Sequence, residues 1–302
     1  MNTDTARPPT IDTAAAERWQ RQPAAAASPW LHEEVARRMQ ERLPWITRKP
    51  DAWADWGPVR GGLAGHALVA GQFPQARCYV VEQGAGRIAA ARRALERPWW
   101  SPARWSGPAA AFAAPPDGGV QMLWSNMALH MEADPEALIA RWHRAVAVDG
   151  YLMFSCLGPD TVRELRALYA RLGWPPAGHE FTDMHDWGDM LVHAGFAEPV
   201  MDMERIVLTF ESPARLLLEL RELGRNLHPA RFAGLRGRGW KAALEQALAQ
   251  GLAREDEGGR LALTFEIIYG HAFRPAARMK VAAQSSIALE DMRSALRRDR
   301  RS

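Results

Sequence analysis

The sequence predicts an α/β fold, a doubly wound sheet that is largely parallel, with helices on both faces and a helical lid inserted before the last strand. Three observations carry this. Short, wholly apolar runs alternate with helical stretches through the first half of the chain, as strands covered on both faces do. Right-handed crossovers between such strands then wind the sheet in both directions. Late in the chain, two strand-like runs flank inserted helices, which implies an antiparallel hairpin edge.

The elements follow in order. Residues 1–28 are polar and rich in Ala, Thr and Pro, and are read as a flexible lead-in. Trp30 to Trp45 places Leu31, Val35, Met39, Leu43 and Ile46 three or four residues apart, with Glu33, Arg37, Arg38 and Glu41 on the wet side, an amphipathic helix. Ala52–Trp56 is a short strand running into Gly57-Pro58-Val59-Arg60-Gly61-Gly62, and a helix follows to Gly71. Cys78–Val81 is an apolar strand ending in Glu82, with a helix from Arg87 to Arg97 behind it. The Ala/Pro/Gly-rich stretch 97–119 reads as a long loop. Val120–Trp124 is a buried strand, Asp134–Val146 a helix, and Asp149-Gly150 a turn into the strand Tyr151–Cys156.

Beyond Cys156 the spacing changes. Asp160 is the expected N-cap of a helix to Arg171. His185–Ala194 is a second helix, ended by Gly195. Val200–Phe210 contains a strand, and Ser212-Pro213 starts a helix through Leu223 with Ser as cap and Pro in the first turn. Trp240–Leu252 is a further helix and Leu261–Phe273 the final strand. Residues 29–275 form the predicted domain, with the lid at about 212–255, and 276–302 a charged, loose tail.

Composition narrows the function classes. Of 302 residues 47% are hydrophobic and 24% charged, enough for a sizeable core, and the net charge of +3 makes no case for nucleic acid. The two cysteines, Cys78 and Cys156, lie in apolar runs, which argues against a disulfide framework or a thiolate metal site. His185 and His193 are eight apart without a third ligand nearby, so no metal is expected. The N-terminus lacks a basic stretch followed by an apolar core, and no apolar run reaches the ~20 residues of a membrane span. A cytoplasmic protein without membrane or nucleic-acid partners is expected.

Candidate site residues cluster where a parallel sheet exposes its carboxyl ends. Asp55, Gly57 and Gly61 border the turn after the first strand, where glycine lets backbone approach a ligand. Glu82 ends the second strand, where a carboxylate can accept both hydroxyls of a ribose; the alternative is an acid favoured by a helix N-terminus. Ser125, Asn126 and His130 follow the fourth strand of the expected sheet. The amide of Asn126 can donate and accept, and the alternative is a turn-forming Asn beside a packed His. His143 is read as structural, and Trp124, Trp142 and Trp187 as core. Arg215, Arg221, Arg225, Arg231, Arg236 and Arg238 form a basic segment suited to an acidic carrier protein or a phosphate, or else a solvated helix face.

Four stretches taken together resemble a class I S-adenosylmethionine-dependent methyltransferase: Asp55-Trp56-Gly57 with Gly61; Glu82; Leu123-Trp124-Ser125-Asn126-Met127-Ala128-Leu129-His130; and Arg141-Trp142-His143-Arg144 leading to Asp149-Gly150-Tyr151-Leu152-Met153-Phe154-Ser155. The last two, with Gly158-Pro159-Asp160-Thr161, Phe181-Thr182-Asp183-Met184-His185-Asp186, Ala194-Gly195-Phe196, Leu263-Thr264-Phe265-Glu266 and Tyr269-Gly270-His271-Ala272, are similar to the malonyl-carrier-protein O-methyltransferase family of biotin synthesis (BioC). The resemblance spans about 30–275 and is strongest in the C-terminal half. It implies a Rossmann-like, seven-stranded sheet, S-adenosylmethionine as methyl donor, and a malonyl thioester on acyl carrier protein or coenzyme A as acceptor. It implies cofactor contacts from Asp55, Gly57, Gly61, Glu82, Ser125 and Asn126, and substrate or carrier contacts from His130, Arg221, Arg225 and Arg231. A carboxylate is already a nucleophile, so no catalytic base is assigned.

The chain departs from the family pattern at three points. Pro58 and Val59 stand where a small residue and the second loop glycine are expected. No carboxylate occurs in Trp105–Ala114, where the end of strand three usually carries one. Ala24–Ala27 covers the stretch where a substrate-helix tyrosine is expected. These departures support a second reading, a catalytically degenerate methyltransferase-like protein acting as a binding or scaffold partner. A nicotinamide-dependent oxidoreductase would need G-x-G-x-x-G directly after the first strand, and no such run occurs there.

Overall fold

The structure is a computed structural model that describes residues 11–22, 27–96 and 108–276. The expected loose tail therefore lies, except for its first residue, outside the described residues, as do parts of the lead-in and of the long loop. The strands are β1 (Ala52–Trp56), β2 (Arg77–Val81), β3 (Val120–Ser125), β4 (Val146–Leu157), β5 (Ala197–Phe210), β6 (Ala253–Arg254) and β7 (Arg260–Phe273). They form one seven-stranded sheet in the order β2-β1-β3-β4-β7-β5, with β6 pairing β7 off that path. Pairs among β1 to β4 are parallel, and β7 runs antiparallel between β4 and β5. Among the described residues, the strand that the family resemblance implies beyond β2 is represented by one parallel bridge, Tyr79 to Ala111, with Val80 N–H donating to Ala111 O and Ala111 N–H to Cys78 O, both at 2.8 Å.

Alternation along each parallel strand divides the core into two layers. Trp53, Met122, Trp124, Tyr151 and Met153 face one layer; Ala54, Leu123, Leu152 and Phe154 face the other. The first layer is covered by α2 (Trp30–Gln40), α4 (Leu63–Gln72), α5 (Ala85–Leu95), α7 (Arg163–Arg171), α9 (Pro213–Leu223) and α10 (Arg238–Gly251), and the second by α6 (Pro135–Ala145) and α8 (Met184–His193). Trp124, Trp142 and Trp187 are all buried, as core residues. The helices α9 and α10 form the insertion between β5 and β7. Ser212 caps α9 by accepting from Arg215 N–H at 3.3 Å, with Pro213 in the first turn.

Several elements differ from the sequence expectation, among them Asp149-Gly150, which lies within β4 and not in a turn ahead of it. The helix starting at Trp30 ends at Gln40 and passes into a 3-10 turn, Leu43–Trp45, because Pro44 has no N–H to extend the ladder. Asp160 does not cap α7. The chain first crosses back over β7, where Val162 N–H donates to Thr264 O at 2.7 Å, and Asp160 instead pairs with Arg205 at 2.8 Å. Within the stretch read as a flexible lead-in, Thr13–Arg21 forms a helix, α1, capped by Asp12 accepting from Ala15 N–H at 2.9 Å.

Candidate active site

The carboxyl ends of β1, β2 and β3 open onto one crevice, lined by Trp56, Gly57, Val81, Glu82, Asn126 and Met127 among others. Gly57 turns the chain out of β1 with φ +82°, and its N–H donates to Val81 O at 2.8 Å. A Cβ at this position would meet nothing within 4 Å, so the turn presents bare backbone to open space. The chain then makes a single helical turn, α3 (Pro58–Gly61), before α4. Gly61 is required for a different reason, since a Cβ there would lie 2.7 Å from the Asn126 carbonyl oxygen. The substituted glycine loop is thus rebuilt as a helical turn, with Gly57 at its left-handed start and Gly61 where its backbone meets that of Asn126.

Helix α2 holds this loop from outside. Glu33 accepts from Ala64 N–H at 3.2 Å and Gly65 N–H at 2.9 Å, capping α4 with a carboxylate from a neighbouring helix. His32 Nδ1 lies 2.7 Å from Arg60 O; a carbonyl only accepts, so Nδ1 carries the proton and Nε2 a lone pair. Burial lowers the His32 pKa to about 4, which keeps the ring neutral, and Nε2 has no hydrogen-bond partner among the described residues.

Asn126 ties the crevice floor together. Its Nδ2 donates to His32 O at 2.8 Å and to Gly61 O, while Oδ1 accepts from the Ser155 hydroxyl at 2.5 Å. Glu82 Oε1 accepts from Val59 N–H at 2.8 Å, and burial pushes its pKa up to about 7 against the hydrogen bond and the nearby Arg87 and Arg60.

Of the residues singled out in the sequence, Gly57, Gly61, Glu82 and Asn126 are brought together here. Asp55 and Ser125 are buried and do not line the crevice. Asp55 lies 2.8 Å from His66 Nδ1, and Ser125 donates to Trp56 O at 3.4 Å. His130 is buried behind it, where Nδ1 accepts from Leu157 N–H at 3.4 Å and burial holds the pKa well below the usual histidine range. Arg231 pairs with Asp12 of the α1 cap at 2.7 Å, Arg225 lies 4.9 Å from the Trp19 ring centroid, and Arg221 stays exposed at the end of α9.

Sequence reasoning missed one whole wall. Helix α1 crosses the crevice mouth, bringing Trp19 and Gln20 into its lining. The Arg60 guanidinium stacks 3.6 Å from the Trp19 ring centroid and donates to Trp19 O at 2.9 Å, while Arg87 donates to Gln20 O and, at 2.7 Å, to Gln20 Oε1. The available signal was Asp12 ahead of the helix-forming run Thr13–Glu17, a capped start inside a stretch taken as a tail.

Comparisons with known proteins agree with this geometry. No family model matches the chain. It is 38% identical over 256 residues to a malonyl-[acyl-carrier protein] O-methyltransferase of Laribacter hongkongensis, covering 82% of this chain and 84% of that one. It is 37% identical over 264 residues to the protein of the same name from Gallionella capsiferriformans, covering 84% and 87%. A solved methyltransferase from Bacillus halodurans superposes with a TM-score of 0.53 at 14% identity, over 79% of this chain and 99% of that one, a likeness of fold. With those identities sustained over most of both chains, this chain belongs to the malonyl-[acyl-carrier protein] O-methyltransferase family.

Proposed function

We propose that this protein is a carboxyl methyltransferase of biotin synthesis, which moves a methyl group from S-adenosylmethionine to the free carboxylate of a malonyl thioester carried on acyl carrier protein or coenzyme A. The observation that carries this reading is the pairing of a bare-backbone turn at Gly57 with the Glu82 carboxyl across the same crevice. When bound, S-adenosylmethionine supplies an electrophilic methyl on a sulfonium. The chain's residues fit such a group. Gly57 leaves room for close approach, Glu82 offers a carboxylate to ribose hydroxyls, and Asn126 fixes the turn that they face. Asp55 and Ser125 serve that site from behind by holding β1 and β3 in place.

The acceptor carboxylate needs no base, because its oxygen already carries the attacking lone pair. What the protein has to do is orient and exclude water. Trp19, Met127, Met131, Leu138 and Leu223 line the mouth with apolar surface for that purpose. His130 supports the floor behind them, through its ring on Leu157 N–H and its carbonyl, which lies 3.1 Å from His179 Nε2. Arg221, with Arg225 and Arg231 beside it, forms the face on which an acidic carrier protein docks. The reaction takes place in the cytoplasm on this reading.

Nothing in the comparisons supports the degenerate alternative. Calorimetric titration with S-adenosylhomocysteine to millimolar concentration tests the reading first, followed by methyl transfer to malonyl-coenzyme A and malonyl carrier protein. A binding isotherm and a methyl ester product are expected; absence of both refutes it.

A further inference from the structure

We propose that Arg60 and Arg87 together form a carboxylate-binding subsite of the crevice, which takes either the acceptor's free carboxylate or the carboxylate of the methyl donor's methionine tail. The inference rests on the methyltransferase reading for the identity of those two sources, and on the geometry for the chemistry. Both arginines line the crevice, and Arg87 is 6% exposed. Their described hydrogen-bond partners are neutral: the Trp19 carbonyl for Arg60, and the Gln20 carbonyl and amide oxygen for Arg87. Arg87 Nε is buried with no partner at all among the described residues.

Two guanidiniums this close to the interior are costly without an anion. The crevice lining holds two acids, Glu82, which is engaged with Val59 N–H, and Glu132, and neither forms a hydrogen bond or ion pair with either guanidinium among the described residues. The Trp19 and Gln20 carbonyls at the C-terminal end of α1 supply the negative end of a helix dipole to Arg60 and Arg87, a weak stand-in for an anion. A carboxylate forms charge-assisted, two-point hydrogen bonds to a guanidinium that are roughly twice as strong as those of a neutral carbonyl.

The test compares ligands that carry the carboxylate with ligands that lack it. S-adenosylhomocysteine is paired with 5′-methylthioadenosine, which lacks the amino-acid tail, and malonyl-coenzyme A with acetyl-coenzyme A, which lacks the free carboxyl. Each pair is titrated against wild type, Arg60→Gln and Arg87→Gln. Arg60→Lys and Arg87→Lys keep the charge but lose the fork, and stand in should the glutamine variants not fold. If the donor's tail is the ligand, S-adenosylhomocysteine weakens at least tenfold and methylthioadenosine stays within twofold. If the acceptor is the ligand, malonyl-coenzyme A weakens at least tenfold and acetyl-coenzyme A does not. Changes within twofold for both carboxylate ligands overturn the subsite. A wild type that binds neither nucleoside refutes the methyltransferase reading instead, and the malonyl and acetyl pair then decides the subsite by itself.

Discussion

Trp19 and Arg60 are joined twice, ring to guanidinium at 3.6 Å and carbonyl to Nη2 at 2.9 Å. This double contact fastens an N-terminal helix to the loop that borders the crevice. Trp19 also packs with Ala16, Met131 and Leu227 in a small cluster separate from the main core. Trp19→Ala removes the stacking and the apolar cover together. The expected result is a loss of about 1–3 kcal/mol in stability, with S-adenosylhomocysteine binding weakened three- to tenfold and faster amide exchange over residues 13–21. Unchanged binding with faster exchange would show that α1 is no part of the site.

Glu82 makes both stability and binding depend on pH. Its carboxyl, pushed from 4.5 to about 7 by burial, holds a proton in the folded chain over a range where the unfolded chain has released it. Stability from this group is therefore complete below about pH 4.5 and is lost as pH rises through 7. Glu82→Gln is expected to be more stable than wild type at pH 8, by about 1–3 kcal/mol, and to lose that advantage at pH 5. Ligand binding runs the other way. Wild-type affinity for S-adenosylhomocysteine rises from pH 6 to 8 as the carboxylate ionises, and the Gln variant binds weakly with a flat profile. Parallel profiles in the two proteins would contradict the assignment.

The two crevice glycines answer different constraints, and alanine separates them. At Gly57 an alanine meets no atom within 4 Å but must adopt φ +82°, at a cost of about 1–2 kcal/mol. At Gly61 the added carbon would come within 2.7 Å of the Asn126 backbone oxygen, which cannot rotate away. Gly61→Ala is expected to lower the melting temperature more than Gly57→Ala and to reduce S-adenosylhomocysteine affinity more than tenfold, because the crevice floor has to shift. Thermal melts and calorimetry on both variants check the order.

His66 and Asp55 form a buried pair, 2.8 Å apart, next to the Trp53 ring. Burial raises the Asp55 pKa, and the His66 hydrogen bond opposes that shift. Replacing His66 with Leu leaves a buried carboxyl without its partner, and denaturant melts are expected to show a loss of about 2–4 kcal/mol. The double variant His66→Leu with Asp55→Leu recovers part of that loss. Additive losses in the double-mutant cycle would mean that the two side chains do not interact.

How far the site could be read in advance depended on whether its residues share local sequence. Glu82 and Gly57 were legible because each ends a short apolar strand, and strand ends of a parallel sheet face the ligand side. Asn126 was legible as a position but not as a role, since its partners His32, Gly61 and Ser155 lie 94, 65 and 29 residues away. Arg225 and Arg231 were read as carrier contacts, and in the folded chain they also reach Trp19 and Asp12, more than two hundred residues before them. Nothing in local spacing announces such contacts.

The sequence by itself determined the architecture and the family: apolar runs of strand length alternating with helices leave only a covered parallel sheet, and the motifs from β3 to β7 carry the resemblance. Only the tertiary structure decided what closes the crevice. Helix α1 has little core of its own, and its cap, ring and carbonyls gain their stability from arginines brought in by α3, α5 and the insertion after β5. A short capped helix is marginal in isolation, so its place, and the charge it covers, follow from packing that no stretch of local sequence encodes.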